Sequence, residues 1–180
     1  MRAAQTSLHG VQLLQPRVFS DERGYFLESH SERTLAELGI EGRFVQDNHS
    51  YSRHNVVRGL HYQIQHPQGK LVRVVTGEIL DVAVDLRRSS PTFGGWESFR
   101  LSESNHRMLW IPPGFAHGFR VLSPDAHVLY KTTDFYFAEF ECTLAWNDPE
   151  LAIRWELEEE PLLSEKDKRG VSFRDAEKFP

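Results

Sequence analysis

"KLVRVVTGEILDVAVDLR", residues 70–87, decides the fold class. Apolar residues recur across two short runs, with Thr76-Gly77-Glu78 between them. The stretch therefore reads as two β-strands joined by a tight turn. With a two-residue turn, pairing parity puts Lys70, Val72 and Val74 on one face with Asp81, Ala83 and Asp85. Leu71, Arg73 and Val75 then share the other face with Val82, Val84 and Leu86. The first face gathers a lysine and two aspartates among small apolar groups. That pattern fits a salt bridge on a half-exposed sheet, or a lysine held by a carboxylate in the mouth of a barrel.

Further short strands are expected on either side. They lie at 11–15, 24–29, 43–48, 56–63, 96–101, 107–111, 117–122, 127–133 and 142–146. Turn-forming clusters such as "HPQG", "SSPTFGG", "PPG" and "SPD" separate them. Many short strands at close spacing predict an all-β antiparallel sandwich or barrel, for which a jelly roll is one means of closure. The one early helix is "SERTLAELG", 31–39, with Ser31 as N-cap, Leu35 and Leu38 as its apolar stripe and Gly39 as its stop. After residue 150 the pattern is irregular, and short helical turns are expected around "SEKDKRG" and "FRDAEKF".

The 180 residues include 39% hydrophobic ones, enough for one sizeable core, so a single domain over 1–180 is expected. A net charge of −5 does not point to nucleic acid or an anionic membrane. No apolar run approaches a membrane span, and "MRAAQTSLHG" lacks the apolar core of a signal peptide. The lone cysteine, Cys142, allows no internal disulfide and sits in a stretch that reads as buried strand, where a thiol is usually inert. A soluble cytoplasmic protein is the simplest reading.

Two of the nine histidines have informative neighbours. His61 stands in "RGLHYQ" (58–63), and His117 in "PPGFAHGF" (112–119). Pro-x-Gly-x-x-His (Pro112 to His117) resembles the second half of the cupin signature. Metal-binding cupins carry His-x-His and then a glutamate in the first half. Here the first half is His61-Tyr62-Gln63, and the next glutamate is Glu78, seventeen positions on. Two histidines do not complete a metal site, so none is expected. His61 is left as a base or a satisfied core residue. Arg58, Gln63 and Lys70 nearby favour the base, and Gly59 in mid-strand suggests a bulge that turns Arg58 and His61 to one side. An arginine, a histidine and a lysine in one cavity suit an anionic substrate whose carbon acid must be deprotonated.

Several stretches, taken in order, resemble the dTDP-4-dehydrorhamnose 3,5-epimerase family. They are "DERGYFLES" (21–29), "FVQDNHSYS" (44–52), "VVRGLHYQ" (56–63), "PQGKLVRVVTGEILDVAVDLRRSSPTFG" (67–94), "LWIPPGFAHGF" (109–119), "LYKTTDFY" (129–136), "WNDPEL" (146–151) and "LLSEKD" (162–167). The resemblance implies a cupin jelly roll that works as a homodimer without metal or other cofactor. It implies a dTDP-4-keto-6-deoxyhexose substrate, dTDP-4-dehydro-6-deoxy-D-glucose, whose C3 and C5 protons are removed and returned on the opposite face. By the same resemblance His61 is the base, Asp167 its carboxylate partner, Lys70 the group that stabilises the enolate, and Tyr130 the acid. Arg23, Glu28, Gln46, Asp47, Asn48, Arg58, His117, Glu141 and Lys166 match substrate-contacting positions.

The residue types suit those roles. Histidine as a residue type titrates near neutrality, a carboxylate fixes its tautomer, and a fixed cation stabilises a developing oxyanion. The chain departs from the family at "FYFAE" (135–139), where Phe135 replaces a frequent tyrosine and Ala138 replaces a proline. Tyr136 in this segment is a possible sugar-site aromatic. The departure keeps a mono-epimerase, acting at C3 or C5 only, as the nearest alternative. A metal-dependent cupin oxygenase or isomerase and a non-catalytic nucleotide-sugar binder are more remote.

Overall fold

The strands follow in chain order as β1 (Arg2–Gln5), β2 (Gln12–Gln15), β3 (Val18–Asp21), β4 (Gly24–Leu27), β5 (Gln46–Arg53), β6 (Val57–Gln63), β7 (Lys70–Thr76), β8 (Glu78–Asp85), β9 (Trp96–Ser102), β10 (Met108–Ile111), β11 (Phe115–Val121), β12 (Asp125–Thr132) and β13 (Glu141–Thr143). The computed structural model describes all of residues 1–180. Two antiparallel sheets face each other as a jelly-roll sandwich. One has the order β1-β2-β10-β7-β12-β5 and the other β13-β6-β11-β8-β9. β3 and β4 form a separate two-stranded hairpin.

The 70–87 stretch does form two strands, but they do not pair. β7 lies between β10 and β12, while β8 lies between β11 and β9 in the facing sheet. The turn at Gly77 is a corner between sheets. Gly77 has φ +81°, and a Cβ there would sit 2.1 Å from the Asp125 carbonyl oxygen, so only glycine fits. The expected first face survives this correction, because the interior side of both strands looks into the sandwich. Val72, Val74 and Ala83 join Leu109, Phe119 and Val128 in the central core. The expected second face does not exist as one surface. Leu71 packs outward under the helix, whereas Val82, Val84 and Leu86 pack outward on the opposite side of the molecule.

Each outer face has its own cover. Helix α1 (Glu32–Glu37) begins at Ser31, whose Oγ accepts from the Thr34 N–H at 3.3 Å, and stops before Gly39 at φ +76°. Leu35 and Ile40 then bury Leu71, Met108 and Trp110. On the five-stranded sheet the cover is the C-terminal segment. Leu151, Trp155, Phe173 and Ala176 lie on Val57, Val82 and Val84. Short parallel bridges tie the segment down at Val56–Leu162, Leu144–Val171 and Arg87–Phe179. One of its two expected helical turns is present, as a 3₁₀ turn at Asp167–Arg169. The other, near Phe173, is only a turn, closed by Ala176 N–H donating to the Ser172 carbonyl at 2.9 Å. The strands β1 and β3 were not expected from the sequence, and the expected strand 142–146 is shorter, at Glu141–Thr143.

Candidate active site

A cavity of about 350 Å³ opens between the sheets at one end of the sandwich. The six-stranded sheet contributes Gln46, Asn48 and Ser50 of β5, Lys70 of β7 and Tyr130 of β12. The five-stranded sheet contributes Arg58, His61 and Gln63 of β6, His117 of β11 and Glu141 of β13. Tyr136 and Lys166 complete the rim from loops. Alternation along β5 is what turns Gln46 and Asn48 inward together.

The register of β6 against β11 slips, with His61 opposite His117 but Arg58 opposite Phe119. Three steps on β6 therefore span two on β11, which is the expected bulge. It brings Arg58 and His61 to the cavity from positions that a regular strand would point apart. Gly59 permits it. Its φ is +110°, and a Cβ would lie 2.7 Å from both the His117 oxygen and the Gly118 Cα.

His61 Nε2 lies 2.5 Å from Asp167 Oδ1. Asp167 is 3% exposed, and its second oxygen accepts from Ser164 Oγ at 2.7 Å. Burial pushes the Asp167 pKa up, but the bonds from His61 and Ser164 outweigh it and hold the carboxyl below its usual range. Asp167 is thus an anion that accepts from the His61 Nε2–H, which makes Nδ1 the ring nitrogen that carries the lone pair in the neutral tautomer. Lys70 is 8% exposed, and Nζ donates to the His61 carbonyl at 3.3 Å. Burial brings its pKa down to about 8, against the opposing field of Asp81. Asp81 is fully buried, and its oxygens lie 3.0 and 2.9 Å from His117 Nε2. The carboxylate expected beside the lysine therefore bonds to His117 and reaches Lys70 only through its charge. Burial lowers the His117 pKa despite Asp81.

Tyr130 stands on the opposite sheet from His61. Burial raises its hydroxyl pKa, with Arg58 pulling the other way, so the group is a phenol at neutral pH. Arg58 is aimed by Ser52 Oγ at 2.9 Å and the Tyr51 carbonyl at 3.1 Å. At the rim, Glu141 accepts from Lys166 Nζ at 2.7 Å and from the Tyr136 hydroxyl at 3.0 Å.

Three expected site residues lie apart from this group. Arg23, with a side chain 89% exposed, pairs with Asp21 at the tip of the β3–β4 hairpin. Glu28, just after that hairpin, is exposed and accepts from Thr34 Oγ1 at 2.8 Å. Asp47 points out of β5, away from Gln46 and Asn48, and bonds to Lys131 Nζ at 2.7 Å. None of the three lines the cavity. No three His, Cys, Asp or Glu side chains are grouped to hold a metal ion. Cys142 is half-buried on the edge strand β13, and burial pushes its thiol pKa up, which suits an inert thiol.

The family model for dTDP-4-dehydrorhamnose 3,5-epimerase matches residues 5–175. The dTDP-4-dehydrorhamnose 3,5-epimerase of Pseudomonas aeruginosa is 58% identical over 181 residues, covering 100% of each chain. This chain belongs to the dTDP-4-dehydrorhamnose 3,5-epimerase family. Two solved structures superpose closely. The epimerase of Legionella pneumophila, in complex with dTDP-4-keto-L-rhamnose, has a TM-score of 0.95 at 48% identity, covering 98% of this chain and 94% of that one. A 3'-monoepimerase from Streptomyces bikiniensis, in complex with dTDP-quinovose, gives 0.87 at 31% identity, covering 93% and 85%.

Several residues of this epimerase-family cavity escape a reading of the sequence. Ser164 opens the stretch expected to form a short helical turn and was given no site role there, yet its Oγ donates to Asp167 at 2.7 Å. Ser50 lines the cavity with a buried hydroxyl that has no partner in the protein. Gln63 reads as a failed metal ligand and a polar neighbour of His61, with no role of its own, yet it is 3% exposed and its amide is bonded through both nitrogen and oxygen. Its signal was present all the same, because it shares the inward parity of His61.

Proposed function

We propose that this chain inverts C3 and C5 of dTDP-4-dehydro-6-deoxy-D-glucose, giving dTDP-4-dehydro-L-rhamnose. The C4 ketone acidifies the protons on both flanking carbons. His61 Nδ1 takes a proton from the carbon, and the electron pair moves to the C4 oxygen as an enolate. Asp167 balances the imidazolium that forms. Lys70 supplies the positive charge beside the enolate oxygen. Tyr130 then donates its proton to the other face of the carbon, and the enolate collapses back to the ketone. Arg58 matches phosphate geometry and takes the diphosphate, with Gln46 and Asn48 beside it on the nucleotide side. Glu141 and Lys166 hold the rim, and His117 carries the buried charge of Asp81 next to Lys70.

One observation carries this reading. The base and the phenol come from opposing sheets, His61 from β6 and Tyr130 from β12, with the cavity between them. Inversion needs a base on one face of the ring and an acid on the other, and a sandwich that feeds its cavity from two walls supplies both. The exposed hairpin bears on the remaining residues. Phe19, Tyr25 and Phe26 are 49%, 57% and 69% exposed beside Arg23. A homodimer in which this hairpin packs on a second copy would cover them and deliver Arg23 and Glu28 to the other copy's site. The lone, unpaired Cys142 agrees with a reducing, cytoplasmic setting.

Proton NMR of the purified protein with the 4-keto substrate in deuterated water tests the proposal. Deuterium is expected at both C3 and C5, together with L-configured product. Label confined to one carbon would instead make the chain a mono-epimerase. Label at neither would remove the reaction.

A further inference from the structure

We propose that Gln63 is a positioning residue. Together with Gln46, it clamps the segment 135–137 across the cavity mouth and so sets the Tyr136 ring against the substrate. The inference rests on the epimerase reading above and adds a residue to its machinery.

The segment has unusual bonding. The backbone N–H groups of Phe135, Tyr136 and Phe137 all donate to side-chain oxygens: Asp134 Oδ1 at 2.8 Å, Gln46 Oε1 at 3.1 Å and Gln63 Oε1 at 2.7 Å. Gln63 Nε2 also donates to the Phe135 carbonyl at 3.1 Å and to the His66 carbonyl at 2.8 Å. A single buried amide thus grips the chain on both sides of Tyr136. The two glutamines come from different sheets, Gln46 from β5 and Gln63 from β6. The segment is therefore strung between the same two walls that carry His61 and Tyr130.

The ring it carries matters to the site. Tyr136 lines the cavity, is 50% exposed, and donates its hydroxyl to Glu141, which lies directly opposite Gln63 in the β13–β6 register. Position 63 is also where a metal-binding cupin places its second histidine. Here both amide hydrogens and the oxygen are committed to backbone groups, so the position works as a clamp. Ala138 leaves the end of the segment without a proline to stiffen it, and the glutamines supply that order from outside. A segment already ordered spares the substrate the cost of ordering it, so a loosened clamp should raise KM and leave kcat largely unchanged.

Gln63→Met keeps the length of the side chain and removes all three bonds. Its KM for the nucleotide sugar is expected to rise about tenfold, the scale of one net hydrogen bond, with kcat within about twofold. In a Tyr136→Ala background the same change should move KM by less than about twofold, because the ring it serves is already gone. An unchanged KM, or an equal rise in both backgrounds, would overturn the inference. A purely structural glutamine would give that equal rise. Amide hydrogen exchange on the wild-type protein is a check that needs no variant. The Phe137 N–H should be strongly protected, and exchange at the rate of a free loop would also overturn the clamp. Failure of the epimerase reading would look different: a wild type that turns over no substrate, with the Phe137 amide still protected.

Discussion

Lys70 is the residue whose environment makes the sharpest demand on conditions. Its pKa of about 8 follows first from burial, with Asp81 partly restoring the charge. If the cation stabilises the enolate, kcat/KM should fall as pH rises through about 8, since that ratio reports the free enzyme. The same shift acts on stability with the opposite sign. The folded pKa lies below the ordinary value of 10.5, so between about 8 and 10.5 the unfolded chain binds more protons and this group's contribution to stability rises with pH. Activity lost over that window would therefore not come from this group's effect on stability. A pH profile of kcat/KM beside a melting curve separates the two, and a rate that stays flat to the upper end would contradict the role given to Lys70. His61 and Lys70 drew attention from the residues alone, through the polar neighbours in "RGLHYQ" and the inward parity of the 70–87 stretch, whereas Tyr130 and Asp167 were marked only by the family resemblance, because a tyrosine in an apolar strand and an aspartate in an irregular tail carry no signal of their own. The partner of Asp81 was not, because parity along β8 turns it inward without saying which inward neighbour it meets.

Among the elements, β6 lines the cavity with Arg58, His61, Tyr62 and Gln63, and its shape depends on Gly59. An alanine there would hold a φ of +110° and press its Cβ on the His117 oxygen and Gly118 Cα, each at 2.7 Å. Gly59→Ala should cost about 1–3 kcal/mol in a urea titration and lower kcat by more than that stability loss accounts for, because the bulge that aims His61 would open. Activity retained in a variant of normal stability would show that the bulge is unimportant. The bulge was legible in sequence because a glycine set between valines and a histidine interrupts a strand that is otherwise well formed. The neighbouring pair β7 and β8 was misassigned for an equally physical reason. Period-two alternation fixes which side chains share an interior, and a tight glycine turn serves a hairpin or a sheet-to-sheet corner alike. Strand β3 was missed because it is a hairpin arm with exposed residues and no buried face to reveal it.

Over the whole molecule, the C-terminal segment is both wall and component. It seals the five-stranded sheet with Trp155, which is 3% exposed and donates its indole N–H to the Trp146 carbonyl at 2.7 Å, and the same segment brings Lys166 to the cavity rim and Asp167 to His61. Trp155→Ala should destabilise by about 3–5 kcal/mol by chemical denaturation. A loss below about 1 kcal/mol would mean that the segment is not anchored there. Its irregular sequence hid this role, since residues that follow the contour of a sheet have no period of their own. The sandwich as a whole makes the central claim possible, because it sets His61 and Tyr130 on facing sheets. Tyr130→Phe in deuterated water tests that claim most directly, with label uptake and product measured in the same tube. The account predicts that deuterium still enters recovered substrate through His61, while L-configured product falls by about 10²-fold or more. Unchanged epimerisation, or equal loss of exchange and product, would contradict the assignment of base and acid to opposite walls.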